Sequence, residues 1–229
     1  MKQLSTVFEK NKTSFDTKYK IKQTYSLHIT TKCAILFMEI LHMERRERFM
    51  QEKINLAVIG GGASGLIAAI TASKICKQTK KITIFEGASR VGKKLLATGN
   101  GRCNLTNIHA SAKHYYGDTR LIEAILRTYP PQRVIQYFEE IGLLCKEESE
   151  GRIYPYSLQA SSVLDVLRFN AEEMQVEIIC DCPIHSIRSK NGIFILENHQ
   201  KQTFIADKVI LATGGKASPQ LGSVGNGYT

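Results

Sequence analysis

Residues 54–65 read INLAVIGGGASG, and residues 82–86 read ITIFE. A short apolar run (Leu56, Ala57, Val58, Ile59) breaks into Gly60, Gly61, Gly62, Ala63, Ser64 and Gly65, and an Ala-rich helical pattern follows at once. A G-x-G-x-x-G set between a strand and a helix is a turn suited to a diphosphate. Gly60 permits the sharp turn, Gly62 lets a pyrophosphate approach bare backbone, and Gly65 lets the helix pack close to the strand. The N–H groups that open the helix, at the positive end of its dipole, then face the phosphates. Glu86 closes the second strand 21 residues beyond Gly65. An acid about 20 residues on is where a ribose hydroxyl is gripped. Strand, glycines, helix, second strand and terminal acid agree on dinucleotide binding, against an ordinary glycine-rich turn.

At 229 residues the chain can hold one large domain or two small ones and bury a substantial core. Its 43% hydrophobic and 23% charged content is that of a soluble globular protein. The net charge of +10 is half concentrated in residues 1–50, which carry ten Lys/Arg and five Asp/Glu. A basic tail on a solvated surface is therefore expected, with no nucleic-acid partner. Six cysteines show no C-x-x-C, and Cys180 and Cys182 stand too close for ordinary zinc-ligand spacing, in a strand-like run. Six histidines show no clustering that marks a base or a metal site. Free thiols in a reducing cytoplasm and no metal are the expectation.

Residues 1–49 differ from the rest in composition, and the apolar run 33–43 is too short to span a bilayer. It also lies too far from Met1 for a signal peptide. Met50 is expected to be the natural start, with residues 1–49 a disordered or non-native extension and no membrane partner. The domain expected is residues 50–229. Its closing stretch, residues 218–229, reads as a glycine-rich loop without a following element.

Between these ends the pattern predicts helices over 119–128, 132–141 and 161–174, the second ended by Gly142. Leu121, Ile122, Ile125 and Leu126 form one apolar face of the first. Residues 151–155 read as an extended turn and 176–180 as a buried strand. Asn191-Gly192 between two strand-like runs predicts a hairpin. Residues 203–206 add a third strand, and 209–212 form a final strand running into Thr213, Gly214 and Gly215. The fold class is α/β, a Rossmann-like parallel sheet with an antiparallel β-meander as one crossover. Small residues at the end of the last strand lie on the sheet edge where ligands bind.

The stretch after Glu86 is dense in glycine, base and amide: residues 92–107 read GKKLLATGNGRCNLTN, with no helical or strand period. A loop like this either wanders in solvent or wraps a polar ligand, and its place directly after the ribose-binding acid favours wrapping. Together with Gly151-Arg152-Ile153-Tyr154-Pro155 and Ala212-Thr213-Gly214-Gly215-Lys216, in the same order and position, it resembles the bacterial FAD-dependent flavoproteins grouped around aminoacetone oxidase and the bile-acid reductase BaiN. The likeness runs from Ile54 to about Tyr228.

The resemblance implies FAD rather than NAD. Gly60, Gly61, Gly62, Ala63, Ser64 and Gly65 would hold the pyrophosphate, and Glu86 the adenosine ribose. Gly92, Lys93, Lys94, Thr98, Gly99, Asn100, Gly101, Arg102, Cys103 and Asn104 would run along the phosphates and ribityl chain toward the isoalloxazine. Ile184 would lend backbone groups to the adenine, and Ala212, Thr213, Gly214 and Gly215 would return the chain to the cofactor. Physically, two lysines near a diphosphate lower its electrostatic cost, and Asn and Thr can satisfy ribityl hydroxyls. Tyr154 and Arg152 are candidates to face substrate. Cys103 reads as a small packed residue rather than a redox centre, and no catalytic base is assigned. Family members continue well beyond this length, so the FAD-binding fold is expected to be incomplete relative to them.

The function implied is an oxidoreductase moving a hydride between FAD and a small organic substrate, with NAD(P)H able to reduce the flavin directly. The alternatives are a non-catalytic FAD-binding fragment and an NAD-binding dehydrogenase. The loop after Glu86 and the meander before Ala212 speak against the last.

Overall fold

The structure is a computed structural model that describes residues 53–215. The expectations placed on residues 1–49 and on the tail 218–229 lie outside the described residues. In chain order the strands are β1 (Ile54–Ile59), β2 (Ile82–Phe85), β3 (Thr106–Asn107), β4 (Cys145–Glu148), β5 (Arg152–Pro155), β6 (Glu177–Ile179), β7 (Ile184–Lys190), β8 (Ile193–Asn198) and β9 (Thr203–Leu211). The helices are α1 (Ala63–Ile75), α2 (Lys93–Ala97), α3 (Thr119–Thr128), α4 (Pro131–Glu140) and α5 (Ala160–Glu173), with a 3-10 turn at Thr98–Gly101.

The larger sheet has the order β6-β2-β1-β9-β8-β7. Its first four strands are parallel and its last three antiparallel. The parallel part places the first strand between the second and the last, which is one half of the doubly wound dinucleotide fold. Strands buried on both faces read as continuous apolar runs, and β1 and β2 are such strands. Val58 and Ile84 join the core shared with α1 and α5. Their neighbours Ala57, Ile59 and Phe85 join a second core beneath the meander with Leu196, Phe204 and Ala206. The Phe85 and Phe204 rings seal that second layer at 4.7 Å.

Four sequence expectations are corrected. Residues 203–206 and 209–212 are one nine-residue strand, β9. Its first half pairs antiparallel with β8 and its second half parallel with β1, Ala206 meeting partners on both sides. Asp207 and Lys208 look like a polar break in the sequence, yet they continue the ladder, with Asp207 paired to Lys53 and to the Asn55 amide. The strand near residue 178 is a half-buried edge rather than a buried strand, because only β2 pairs with it. Cys180 and Cys182 do not sit on a strand: Asp181 between them has φ +53°, and the two thiols pack into different cores.

The fourth correction is a second sheet, order β3-β5-β4, that holds the expected extended turn as its central strand. Its β4, with Lys146, Glu147 and Glu148, lacks the apolar alternation that marks a strand. The helices fall where periodicity puts them. Pro131 opens α4 at a position where its missing N–H costs nothing, and Asp118 caps α3 through the Arg120 N–H. Among the described residues no helix is long and apolar enough to cross a membrane.

Candidate dinucleotide-binding site

The turn after β1 is shaped by what cannot fit there. Gly60 has φ +106°, and a Cβ on it would lie 2.5 Å from the Ala212 carbonyl oxygen. That approach exists because the Ala212 N–H donates to the Ile59 carbonyl at 2.8 Å, bringing the end of β9 beside the turn. A Cβ on Gly65 would lie 1.9 Å from the Gly60 carbonyl oxygen. Gly61 is closed by Val91, 2.4 Å from where its Cβ would stand. Gly62 is the exception, since a Cβ there would meet nothing within 4 Å. It also opens α1 with no side-chain cap and no acid in the first turn. The helix therefore opens beside free space at Gly62, with no side chain of its own first turn offsetting its positive dipole end.

Glu86 is built into the same corner. One carboxylate oxygen accepts the Gly61 N–H at 2.8 Å, and the other accepts the Ala88 N–H at 2.8 Å. The acid is thus keyed to the glycine turn across 25 residues of sequence. A carboxylate offers about four acceptor sites, so two remain for another donor. The Gly92 N–H donates to the Gly61 carbonyl at 2.9 Å. This ties the start of the 92–107 stretch, directly before Lys93 and Lys94 in the chain, to the corner. A Cβ on Gly92 would strike Leu164 of α5 at 2.3 Å.

That stretch is not the irregular loop its composition suggests. Residues 93–97 form α2, and Thr98, whose hydroxyl donates to the Leu95 carbonyl at 2.6 Å, ends it. Gly99, Asn100, Gly101 and Cys103 then adopt positive φ. Asn104 and Leu105 are anchored on β5, both donating to the Ile153 carbonyl, at 3.4 and 2.8 Å. Cys103 is buried in the main core, and burial raises its thiol pKa, with the Thr98 hydroxyl pulling the other way. The thiol is a packed residue, as its sequence setting suggests.

Tyr154 overturns its expected role. It is 4% exposed, with the Arg102 guanidinium over its ring, and so faces the loop rather than a substrate. Val91 is a support the sequence does not flag, and Tyr154 is one it flags for a different role. Ile184 opens β7 beside a bulge and packs in the core beneath the meander. Thr213, Gly214 and Gly215 follow β9 just past the corner, Gly214 with φ +76°. His185 and His199 do come together, their rings stacked at 4.9 Å on the meander. Among the described residues no group of three His, Cys, Asp or Glu is placed to hold a metal.

The HI0933-like protein Rossmann domain family matches residues 54–229. This chain belongs to that family. The assignment agrees with the flavoprotein resemblance drawn from the residues, and FAD is the dinucleotide of this Rossmann family. A 3-dehydro-bile acid delta(4,6)-reductase of Clostridium scindens is 41% identical over 175 residues, covering 76% of this chain and 42% of the relative. A ribosomal RNA dihydrouridine synthase of Haemophilus influenzae is 25% identical over 181 residues, covering 75% and 43%. The chain spans less than half the length of these curated relatives. The THI4 structure of Thermovibrio ammonificans shares the fold, with a TM-score of 0.50 and 17% identity over 84% of this chain and 67% of that one.

Proposed function

We propose that this HI0933-like chain binds FAD at the glycine corner and serves a flavin-dependent reductase. The open space in front of Gly62, at an uncapped helix N-terminus, is the observation that carries this reading. Gly60, Gly61, Gly62, Ala63, Ser64 and Gly65 would hold the pyrophosphate, with Lys93 and Lys94 offsetting its charge. Glu86 would use its remaining acceptor capacity on the adenosine ribose. Thr98, Asn100 and Asn104 would satisfy ribityl hydroxyls, Ile184 would offer backbone to the adenine, and residues 212–215 would close the other side. FAD, when bound, supplies hydride transfer; the chain's part is to bind it, orient it and keep water from its buried side.

The relatives' names narrow the chemistry. A 3-keto steroid with conjugated ring double bonds and the uracil ring of uridine are both alkenes activated by a neighbouring carbonyl. Reduction of such an alkene, a hydride to one carbon and a proton to the other, is the reaction proposed. A small organic substrate is the leading reading, because the steroid reductase is 41% identical and the RNA-directed relative 25%. That RNA-directed relative is also the observation behind a second reading, a uridine in RNA. NAD(P)H is the proposed electron donor, and the cytoplasm the proposed compartment.

The test is the absorbance spectrum of the purified chain, followed by release of the ligand on denaturation. A flavin spectrum with FAD released supports the proposal. Colourless protein that takes up no added FAD sinks it, and bound NAD without flavin would favour a dehydrogenase. Anaerobic reoxidation of the reduced protein by a conjugated 3-keto steroid, or by uridine-rich RNA, separates the two substrates. FAD binding without reoxidation by either would favour a non-catalytic FAD-binding chain.

A further inference from the structure

The 98–104 loop is held in a shape that its residues do not favour by themselves. Gly99 (φ +55°), Asn100 (φ +55°), Gly101 (φ +79°) and Cys103 (φ +59°) are all left-handed. That region costs stability for any residue with a Cβ, and glycine gives up more chain freedom than other residues when it is fixed. Local hydrogen bonds do not account for the shape, because the Arg102 N–H to Gly99 and the Cys103 N–H to Thr98 only close the turn. The constraint comes from β5.

Tyr154 lies between the two ends of the strained segment. A Cβ on Gly99 would stand 2.9 Å from the Asn104 backbone nitrogen and 3.3 Å from the Tyr154 ring, so glycine is required first by the loop's own return and then by the ring edge. On the other side the Arg102 guanidinium carbon lies 4.6 Å from the ring centroid. Arg102 is steered there by Glu148 on β4, at 3.6 Å. Lys146 and Arg102 help hold the Glu148 carboxyl below its ordinary pKa, Lys146 foremost. Next along β5, the Ile153 carbonyl takes Asn104 and Leu105. The aromatic ring therefore stacks on the arginine of the loop and fills the space beside its first glycine, while its neighbour fixes the exit.

We infer that Tyr154 is a positioning residue, whose ring, clasped between Gly99 and Arg102, sets the curvature of residues 98–104 and so the way this loop meets bound FAD. The inference rests on the FAD reading above and deepens it. The contact uses the face and edge of the ring, so the hydroxyl is dispensable and the aromatic ring is not. Glu148 acts one step further back, through Arg102.

The experiment uses the full chain. FAD affinity is measured by fluorescence quenching, and the visible flavin spectrum and midpoint potential are taken at saturating FAD. Tyr154→Phe should bind FAD within about twofold of the parent. Tyr154→Leu should bind about tenfold more weakly, between the scales of an exposed and a desolvated cation–π contact, and should shift the flavin band and potential even when saturated. Glu148→Gln, a half-buried change that keeps the side chain's shape, should weaken binding about threefold and shift the band in the same sense.

A Tyr154→Leu protein that folds and keeps the parent affinity, or that loses affinity while its saturated spectrum and potential stay unchanged, overturns the inference. If Tyr154→Leu does not fold, Glu148→Gln decides: an unchanged saturated spectrum counts against the inference. A parent chain that takes up no FAD overturns the FAD reading and this inference together. A parent that binds FAD while both variants match it overturns this inference alone.

Discussion

The glycine corner and the 98–104 loop both run on backbone short of side chains, but the physics differs. In the corner the glycines are defined by collision. Side chains on Gly60, Gly61 or Gly65 would strike Ala212, Val91 or the Gly60 carbonyl itself. In the loop the residues are defined by conformation, and two of the four left-handed positions, Asn100 and Cys103, are not glycine at all. The corner is set by close approach of elements that any such fold must bring together. The loop is set by a separate small sheet pressing on it. A short spacing rule can describe the first; the second needs its partner in view.

The corner itself contains a sharper contrast, between glycines needed for folding and one free to serve a ligand. Gly65→Val should cost the most, about 3 kcal/mol or more, because its Cβ would overlap a backbone oxygen that has nowhere to go. Urea unfolding checks it, and a wild-type midpoint would show that the helix can back away from the turn. Gly62→Val should behave oppositely. Its stability should fall by no more than about 1 kcal/mol, the cost of losing a favourable N-cap residue, since its φ of −77° suits any residue and its Cβ meets nothing. FAD affinity should instead fall about a hundredfold, read by titration calorimetry. Unchanged affinity would detach the open space from the cofactor.

Glu86→Gln comes next in size. A glutamine can offer its oxygen to only one of the two N–H groups that Glu86 now serves, so its amide must turn a donor toward the other. A loss of about 1–2 kcal/mol is expected, together with weaker FAD binding. Equal stability would mean the turn and the acid are less tightly keyed than the 2.8 Å contacts imply.

The smallest effect concerns Cys145, on the β4 that supports the loop. Burial, and secondarily Glu139, push its thiol from 9.0 up to about 11. The folded state keeps that proton more tightly than the unfolded chain. The contribution is intact below about pH 9 and is lost as pH rises through the folded value. Stability measured from pH 8 to 10.5 should fall more steeply in the parent than in Cys145→Ser. Parallel slopes would show that the thiol is effectively solvated in both states.

How much of this was legible varies with the range of the contact. The strand, glycine turn, helix and acid were readable because each is a local pattern whose spacing is fixed by geometry. Helices α3, α4 and α5 followed from apolar periodicity alone, while Asp118 and Pro131 at the starts of α3 and α4 emerged only in the structure. The small sheet was not readable, since three of the four residues of β4 are charged and β3 is two residues long. Its strands exist because their backbones pair with β5. Tyr154 was visible as part of a recurring string, but nothing in that string says which side its ring presents.

The chain's order of residues determined by itself that a β-turn-α unit opens the domain, and that an acid stands one strand further on. Short-range sterics and a two-fold or 3.6-fold period suffice for that. Only the packed structure decided that residues 203–211 form one strand serving two partners. Only there does Glu86 close onto Gly61, and only there does an aromatic from a distant sheet shape the loop. Those outcomes depend on surfaces meeting across 25 to 152 residues of sequence, where no local periodicity carries the information.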